Sequence, residues 1–136
     1  HRDLHSFPTR RSSDLEWEYA CRAGTSTDYA ALTLEEIGWY SENSGYKSHP
    51  GSRKSPNSFG LYDMHGNVWE WCYDFYGENY YQTSPANDPD GPSAGLRRVL
   101  RGGSYSDGPN YARSSNRNIP ELFKDNIGFR IVRNKF

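Results

Sequence analysis

The carboxylates Asp63, Glu70 and Asp74 fall in one stretch, Gly60 to Phe75, together with Trp69, Trp71, three further aromatic residues and the turn-forming Gly66-Asn67-Val68. Carboxylate and carbonyl oxygens are the hard ligands that calcium takes, so Asp63, Glu70 and the carbonyls of that turn make one candidate metal site. The competing reading is structural. Residues two apart in extended chain share a face, so Trp69 and Trp71 would enter a core while Glu70 points outward. A glycosidase-type carboxylate pair would need two of the three acids to be set apart from the rest, and nothing in their spacing does so.

Other chemistries find fewer residues. Cys21 and Cys72 are the only thiols. Two cysteines make neither a disulfide framework nor a metal-binding spacing, and whether they pair stays open. Cys72, directly after Trp71, reads as a small buried hydrophobe. Of the histidines, His1 and His5 stand in an atypical N-terminal segment, which leaves His49 and His65, too few for a three-histidine iron site. Neither a phosphate-binding Gly-Lys loop nor a dinucleotide fingerprint occurs. Ser104 has no base beside it in sequence to activate it.

The elements that must position these residues are short. Glu16 to Ala23 carries helix formers with Trp17 and Cys21 four apart, and Gly24 supplies a stop, so the last turns of a helix are expected there. Leu34 to Gly38 reads as one helical turn and Gly38 to Asn43 as a strand-like anchor. Phe59 to Phe75 is the central anchor, and Gly77 to Gly95, with Pro85, Pro89 and Pro92, a long surface loop. Arg97 to Tyr105 reads as a strand running into Gly102-Gly103, a pair that lets backbone approach another surface closely. Asn110 to Asn116 suggests a short helix or turn. Asn126 to Arg133 suggests a closing strand with Ile127, Phe129 and Ile131 alternating.

Composition agrees with such a chain. In 136 residues, 15% are aromatic, and thirteen Gly and eight Pro interrupt the pattern every few positions, which describes one loop-rich domain pinned by aromatic anchors. No apolar run reaches the roughly 20 residues of a membrane span, so a soluble protein is expected. From Arg97 to Phe136 nine Lys/Arg face three Asp/Glu, against a net charge of −1 for the whole chain. That basic third is scattered among Gly, Ser and Asn and can pair with the acidic part of the same fold, so no nucleic-acid partner is inferred. Residues 1–15 stand apart. Phe7 to Leu15 resembles the translation of a short-read sequencing adapter and joins abruptly to Glu16, so residues 1–15 are read as non-native and 16–136 as the domain. A missing N-terminal domain would follow from that join, and compartment stays open.

Six blocks carry a resemblance: Glu16 to Gly24 (EWEYACRAG), Pro56 to Met64 (PNSFGLYDM), Gly66 to Trp71 (GNVWEW), Arg98 to Ser104 (RVLRGGS), Ala112 to Ser114 and Gly128 to Arg130. In this order they resemble the formylglycine-generating enzyme, or sulfatase-modifying factor, family. The resemblance implies an irregular α+β fold of C-type-lectin-like type, poor in regular secondary structure, truncated at its N-terminus here and stabilised by calcium. It maps the calcium ligands onto the Asp63 and Glu70 side chains and the Gly66 and Val68 carbonyls, against the alternative that Glu70 pairs with a nearby arginine. It also implies a substrate groove at Trp69, Ser104 and Asn126, and for a peptide or small-molecule ligand Tyr105 and Arg113 would help to shape it.

One departure decides the expected activity. The family's oxidases carry two cysteines shortly after Arg-Gly-Gly-Ser, and copper(I) chemistry needs such soft thiolates. Here the segment runs Ser104-Tyr105-Ser106-Asp107-Gly108-Pro109, with Asp107 where the first cysteine is expected. A sulfatase-modifying-factor domain without formylglycine-generating activity or copper is therefore expected. The alternatives are a ligand- or peptide-binding C-type-lectin-like module and the C-terminal half of a non-haem iron sulfoxide synthase, whose histidines would lie upstream.

Overall fold

The computed structural model describes residues 9–76, 97–120 and 126–133. Strand β1 (Thr9–Arg11) leads into helix α1 (Asp14–Arg22). Ser13 caps this helix: its Oγ accepts from the Glu16 backbone N–H at 3.2 Å while the Glu16 carboxylate accepts from the Ser13 N–H at 2.9 Å. Such reciprocal capping contributes about 1 kcal/mol. The helix ends at Ala23 in the left-handed conformation (φ 48°) followed by Gly24 (φ 89°). It is thus a whole nine-residue helix with its own cap rather than the tail of a longer one. Trp17 and Cys21 share its inner face and join Met64, Cys72 and Val99 in the main apolar cluster. The long Gly77 to Gly95 segment lies outside the described residues.

Helix α2 (Leu34–Ile37) is the expected single turn, and its Leu34 and Ile37 pack with Tyr40 and Ala112 as a second cluster. Only β2 (Gly38–Trp39) of the expected anchor is strand; it runs parallel to β3 (His65–Gly66). The two strands touch through glycine. A Cβ on Gly66, where φ is 83°, would lie 2.2 Å from the Trp39 carbonyl oxygen, so no side chain fits.

The larger sheet has order β5-β4-β6, where β4 is Trp69–Phe75, β5 is Arg98–Arg101 and β6 is Ile127–Phe129. Strand β4 pairs antiparallel with β5, Glu70 opposite Arg101, and parallel with β6, Trp69 opposite Ile127. Its inward face differs from the sequence expectation. Trp69 enters the core as expected, at 2% exposed, but Glu70, Cys72 and Asp74 are buried too, whereas Trp71 is partly exposed and Tyr73 is 54% exposed. Alternation fixes that neighbours face opposite ways, but which set enters the core is decided by partners, and the buried acids have them. The closing strand also differs: it is interrupted at Arg130, with β7 (Ile131–Arg133) turning away to pair with β1. Phe129 and Ile131 are consequently 66% and 64% exposed instead of lining a core.

Residues 9–15, set apart in the sequence, are built into this fold. Asp14 is fully buried; Arg101 donates to its Oδ1 and Arg117 to its Oδ2 at 2.6 Å, while its backbone N–H reaches Asp74 Oδ1 at 2.8 Å. Arg101 also donates to Glu18 at 3.1 Å and to the Ser114 carbonyl at 3.0 Å, tying β5 to α1. Among the described residues no helix is long and apolar enough to cross a membrane.

Candidate functional site

Beyond β5 the chain passes through Gly102 (φ 102°) and Gly103 (φ 72°), conformations that glycine adopts without strain. A Cβ on Gly103 would stand 3.0 Å from the Ala112 nitrogen, so the pair lets this backbone press against the 3-10 turn Pro109–Ala112. Ser104 is delivered to a buried position, 1% exposed, opposite Asn126 at the head of β6. The turn that follows closes with the Asp107 N–H on the Ser104 carbonyl at 3.2 Å. It is held to the β3–β4 corner by the Tyr105 N–H on the Asn67 carbonyl at 2.8 Å.

The side chains at this point form one network. Asp107 Oδ2 accepts from the Trp69 indole N–H at 2.7 Å and from the Ser104 hydroxyl at 2.5 Å. Ser104 Oγ in turn accepts from the Asn126 amide at 2.9 Å, and Ser106 Oγ lies 3.4 Å from the same amide. The Asn126 orientation follows from that chain: Ser104 has already given its proton to Asp107, so Asn126 must present NH2 to it. Its other atom, Oδ1, is buried without a partner among the described residues. Tyr111, 47% exposed, meets Trp69 edge-on with ring centroids 6.1 Å apart.

Trp69, Ser104 and Asn126, three of the residues expected to form a groove, therefore come together. Tyr105 contributes through its backbone, its carbonyl accepting from Ser44 Oγ at 2.6 Å. Arg113 is turned to the Asn110 carbonyl at 2.9 Å. What the sequence reading missed is that Asp107 organises the cluster. Its signal was the Ser-x-x-Asp spacing from Ser104, which can close a turn with both side chains on one side.

The expected calcium ligands are arranged differently. Glu70 is 5% exposed, and both of its oxygens are engaged: Oε2 accepts from the Trp17 indole N–H at 2.7 Å, and Oε1 from Arg130 Nε at 2.5 Å. Arg130 also donates to the Tyr62 carbonyl, next to Asp63. Burial pushes the Glu70 carboxyl up, against the pull of Arg130 and Trp17. Asp63 accepts from the Ser52 N–H through Oδ2 at 3.0 Å, and its Oδ1 is buried with no partner among the described residues. Of the two expected side-chain ligands, Glu70 therefore has both oxygens taken, one by an arginine as the alternative reading had it, and Asp63 keeps one oxygen over. No group of three or more His, Cys, Asp or Glu that could hold a metal occurs among the described residues.

Cys21 and Cys72 are unpaired and buried. Burial pushes the Cys21 thiol up to about 12 and Cys72 higher still, so neither offers a thiolate near neutral pH. Cys21 lies 3.4 Å from His65 Nε2, but this is not an activated pair. His65 Nδ1 is 2.6 Å from the Ala112 carbonyl and Nε2 accepts from the Ala30 N–H at 3.2 Å, which fixes a neutral tautomer; burial lowers its affinity for a proton. His49 stacks on Trp39 at 3.8 Å and its Nε2 contacts the Ser44 carbonyl at 2.6 Å.

The chain is similar to known proteins over most of its length. The Streptomyces coelicolor "Formylglycine-generating enzyme" is 37% identical across 89% of this chain and 45% of its own length. The Chlamydia pneumoniae "Serine/threonine-protein kinase pkn1" is 36% identical across 92% of this chain and 21% of its own. The solved structure of PvdO from Pseudomonas aeruginosa superposes with a TM-score of 0.82 at 29% identity, over 96% of this chain and 54% of that one. The chain thus spans less than half the length of the curated relatives it matches. Its α+β fold, poor in regular structure, is of the formylglycine-generating-enzyme type. The sulfatase-modifying factor enzyme 1-like domain family matches residues 8–135, a span that begins before Glu16 and takes in the Ser104, Asp107 and Asn126 network, and the chain belongs to that family.

Proposed function

We propose that this domain binds a peptide or small-molecule ligand at the Trp69, Ser104 and Asn126 site and does not itself oxidise cysteine to formylglycine. The observation that carries the reading is Asp107. Its carboxylate stands three residues after Ser104 and is hydrogen-bonded to both Ser104 and Trp69. A carboxylate is a hard ligand and a poor host for copper(I), and the chain's two thiols are protonated and enclosed elsewhere in the core. Ser104 does not replace them as a nucleophile. It is 1% exposed, and the carboxylate it donates to is shared with Trp69.

Relatives support a module that works in more than one setting. One is named as an enzyme that generates formylglycine and another as a protein kinase, with this domain a fifth of the latter's length. The side chains that a ligand would reach here are Ser106, Asp107 and the Tyr111 ring, and the enclosed Trp69, Ser104 and Asn126 hold Asp107 and Ser106 in place. The test is a copper(I) competition titration of the purified chain against a colorimetric chelator. The reading expects no copper to be withdrawn from the chelator at stoichiometric protein. Withdrawal of one equivalent would overturn it.

A further inference from the structure

We propose that the outer face of the larger sheet is an interface between two copies of this chain; the inference is independent of the ligand-binding reading above. The face is built by register. Trp71 on β4 stands opposite Phe129 on β6, and directly paired residues share a face. Tyr73 and Phe75 follow Trp71 at alternate positions, and the Arg98 guanidinium lies 4.3 Å from the centre of the Phe75 ring and 5.3 Å from that of Tyr73. Phe129 and Ile131 flank Arg130, whose own side chain is turned inward onto Glu70. Outward positions on a solvated sheet are ordinarily polar. Here they are aromatic, while the inward positions of the same strand set Cys72 beside Trp17 and Cys21 and Asp74 on the Asp14 N–H. The described residues leave the face open, with Tyr73 54%, Phe129 66% and Ile131 64% exposed.

Area and charge select the occupant. A fully exposed aromatic side chain offers about 150–250 Å², so the exposed parts of Trp71, Tyr73, Phe129 and Ile131 together supply on the order of 400 Å² of apolar surface. That is about half of the ~800 Å² that each partner of a stable dimer buries, the share expected of an apolar centre inside a polar rim. Of the residues named on the face, Arg98 alone is charged, and it already stacks on its own rings and donates to the Tyr73 carbonyl. A strongly acidic or basic partner would find little to pair with. A second copy needs no such charge. A two-fold axis through the face sets rings against rings, brings each Arg98 toward an aromatic ring of the other copy, and makes the two sheets the inner layers of a sandwich about 10 Å apart.

The test is sedimentation equilibrium of the purified chain over a wide range of concentration. The expected result is a reversible equilibrium between monomer and dimer that stops at two copies. Tyr73→Lys, which brings like charges together across the axis, and Phe129→Gln should each weaken the dimer at least about tenfold. Both side chains are exposed, so the thermal midpoint of the dilute monomer should move little. Tyr19→Lys is the control: Tyr19 is 70% exposed, but it stands on α1, which packs on the inner side of β4. That variant should dimerise like the parent. A chain that stays monomeric at every concentration overturns the proposal, whether other residues of the chain cover the face or water does. Association that continues beyond two copies overturns it as well. So does a dimer that keeps its strength in both Tyr73→Lys and Phe129→Gln, or loses it equally in Tyr19→Lys.

Discussion

Replacing Arg130 by Met separates an internal ion pair from a metal site. Glu70 is 5% exposed and is held by two donors, the Trp17 indole and the Arg130 guanidinium; the variant leaves it with Trp17 alone. Breaking a buried pair by removing one partner costs about 3–5 kcal/mol. The Arg130 side chain is 31% exposed, so solvent screens part of its field and the lower figure, about 3 kcal/mol, applies. For a domain of this size that is a fall of roughly 10 °C in thermal midpoint, read by circular dichroism. The pH dependence carries a definite sign. Burial raises the Glu70 carboxyl above its unfolded value, and the loss of Arg130 raises it further. The folded state then holds a proton that the unfolded state has released. The deficit therefore grows as pH rises from the unfolded value toward the folded one and shrinks as pH falls back toward the unfolded value. Should Arg130→Met fail to fold, Glu70→Gln with Arg130→Met removes the charge that was stranded and should recover a measurable transition. If Arg130→Met melts within about 1 °C of the parent, or if calcium raises the parent's midpoint by several degrees, the ion-pair account is wrong and an oxygen-ligated metal becomes the better one.

Two further predictions concern buried charge and protonation. His65 is held neutral, so below about pH 6.5 the unfolded chain binds a proton that the folded one refuses; stability falls as pH drops, by up to about 1.4 kcal/mol per unit. His65→Gln should flatten that slope, and an unchanged slope between pH 6.5 and 5 would show that other groups set it. Asp14→Ala removes the carboxylate that Arg101 and Arg117 share, leaving Arg101 to Glu18 and two carbonyls, and should cost about 3 kcal/mol in denaturant unfolding. A loss under 0.5 kcal/mol would mean that residues 9–15 are not integral to the fold.

The motifs of the sequence predicted more of the site than its composition did. Trp69, Ser104 and Asn126 meet because Gly102 and Gly103 allow a backbone approach that no larger residue permits, and a Gly pair ending a strand is a readable sign of that. Asp107 was readable as a departure from the oxidase pattern but not as a hub. Its role depends on the Trp69 indole, thirty-eight residues earlier, arriving within 2.7 Å. The same limit explains Glu70. Alternation along β4 was plain, but only the positions of Trp17 and Arg130 decide that the acid faces inward. In α1 the Ser13 and Glu16 capping box was present in the letters, yet it straddles the junction at which residues 1–15 were set aside. Phe129 and Ile131 show the converse: an apolar alternation that the described residues leave uncovered.

The domain's central property, a site organised by a carboxylate instead of a thiol pair, is tested most directly by incubating the purified chain with copper(I), oxygen, a thiol reductant and a sulfatase-motif peptide, then following the peptide cysteine by mass spectrometry. The account predicts that the cysteine persists unchanged through many hours at stoichiometric protein. Conversion to formylglycine above the copper-only control would contradict it.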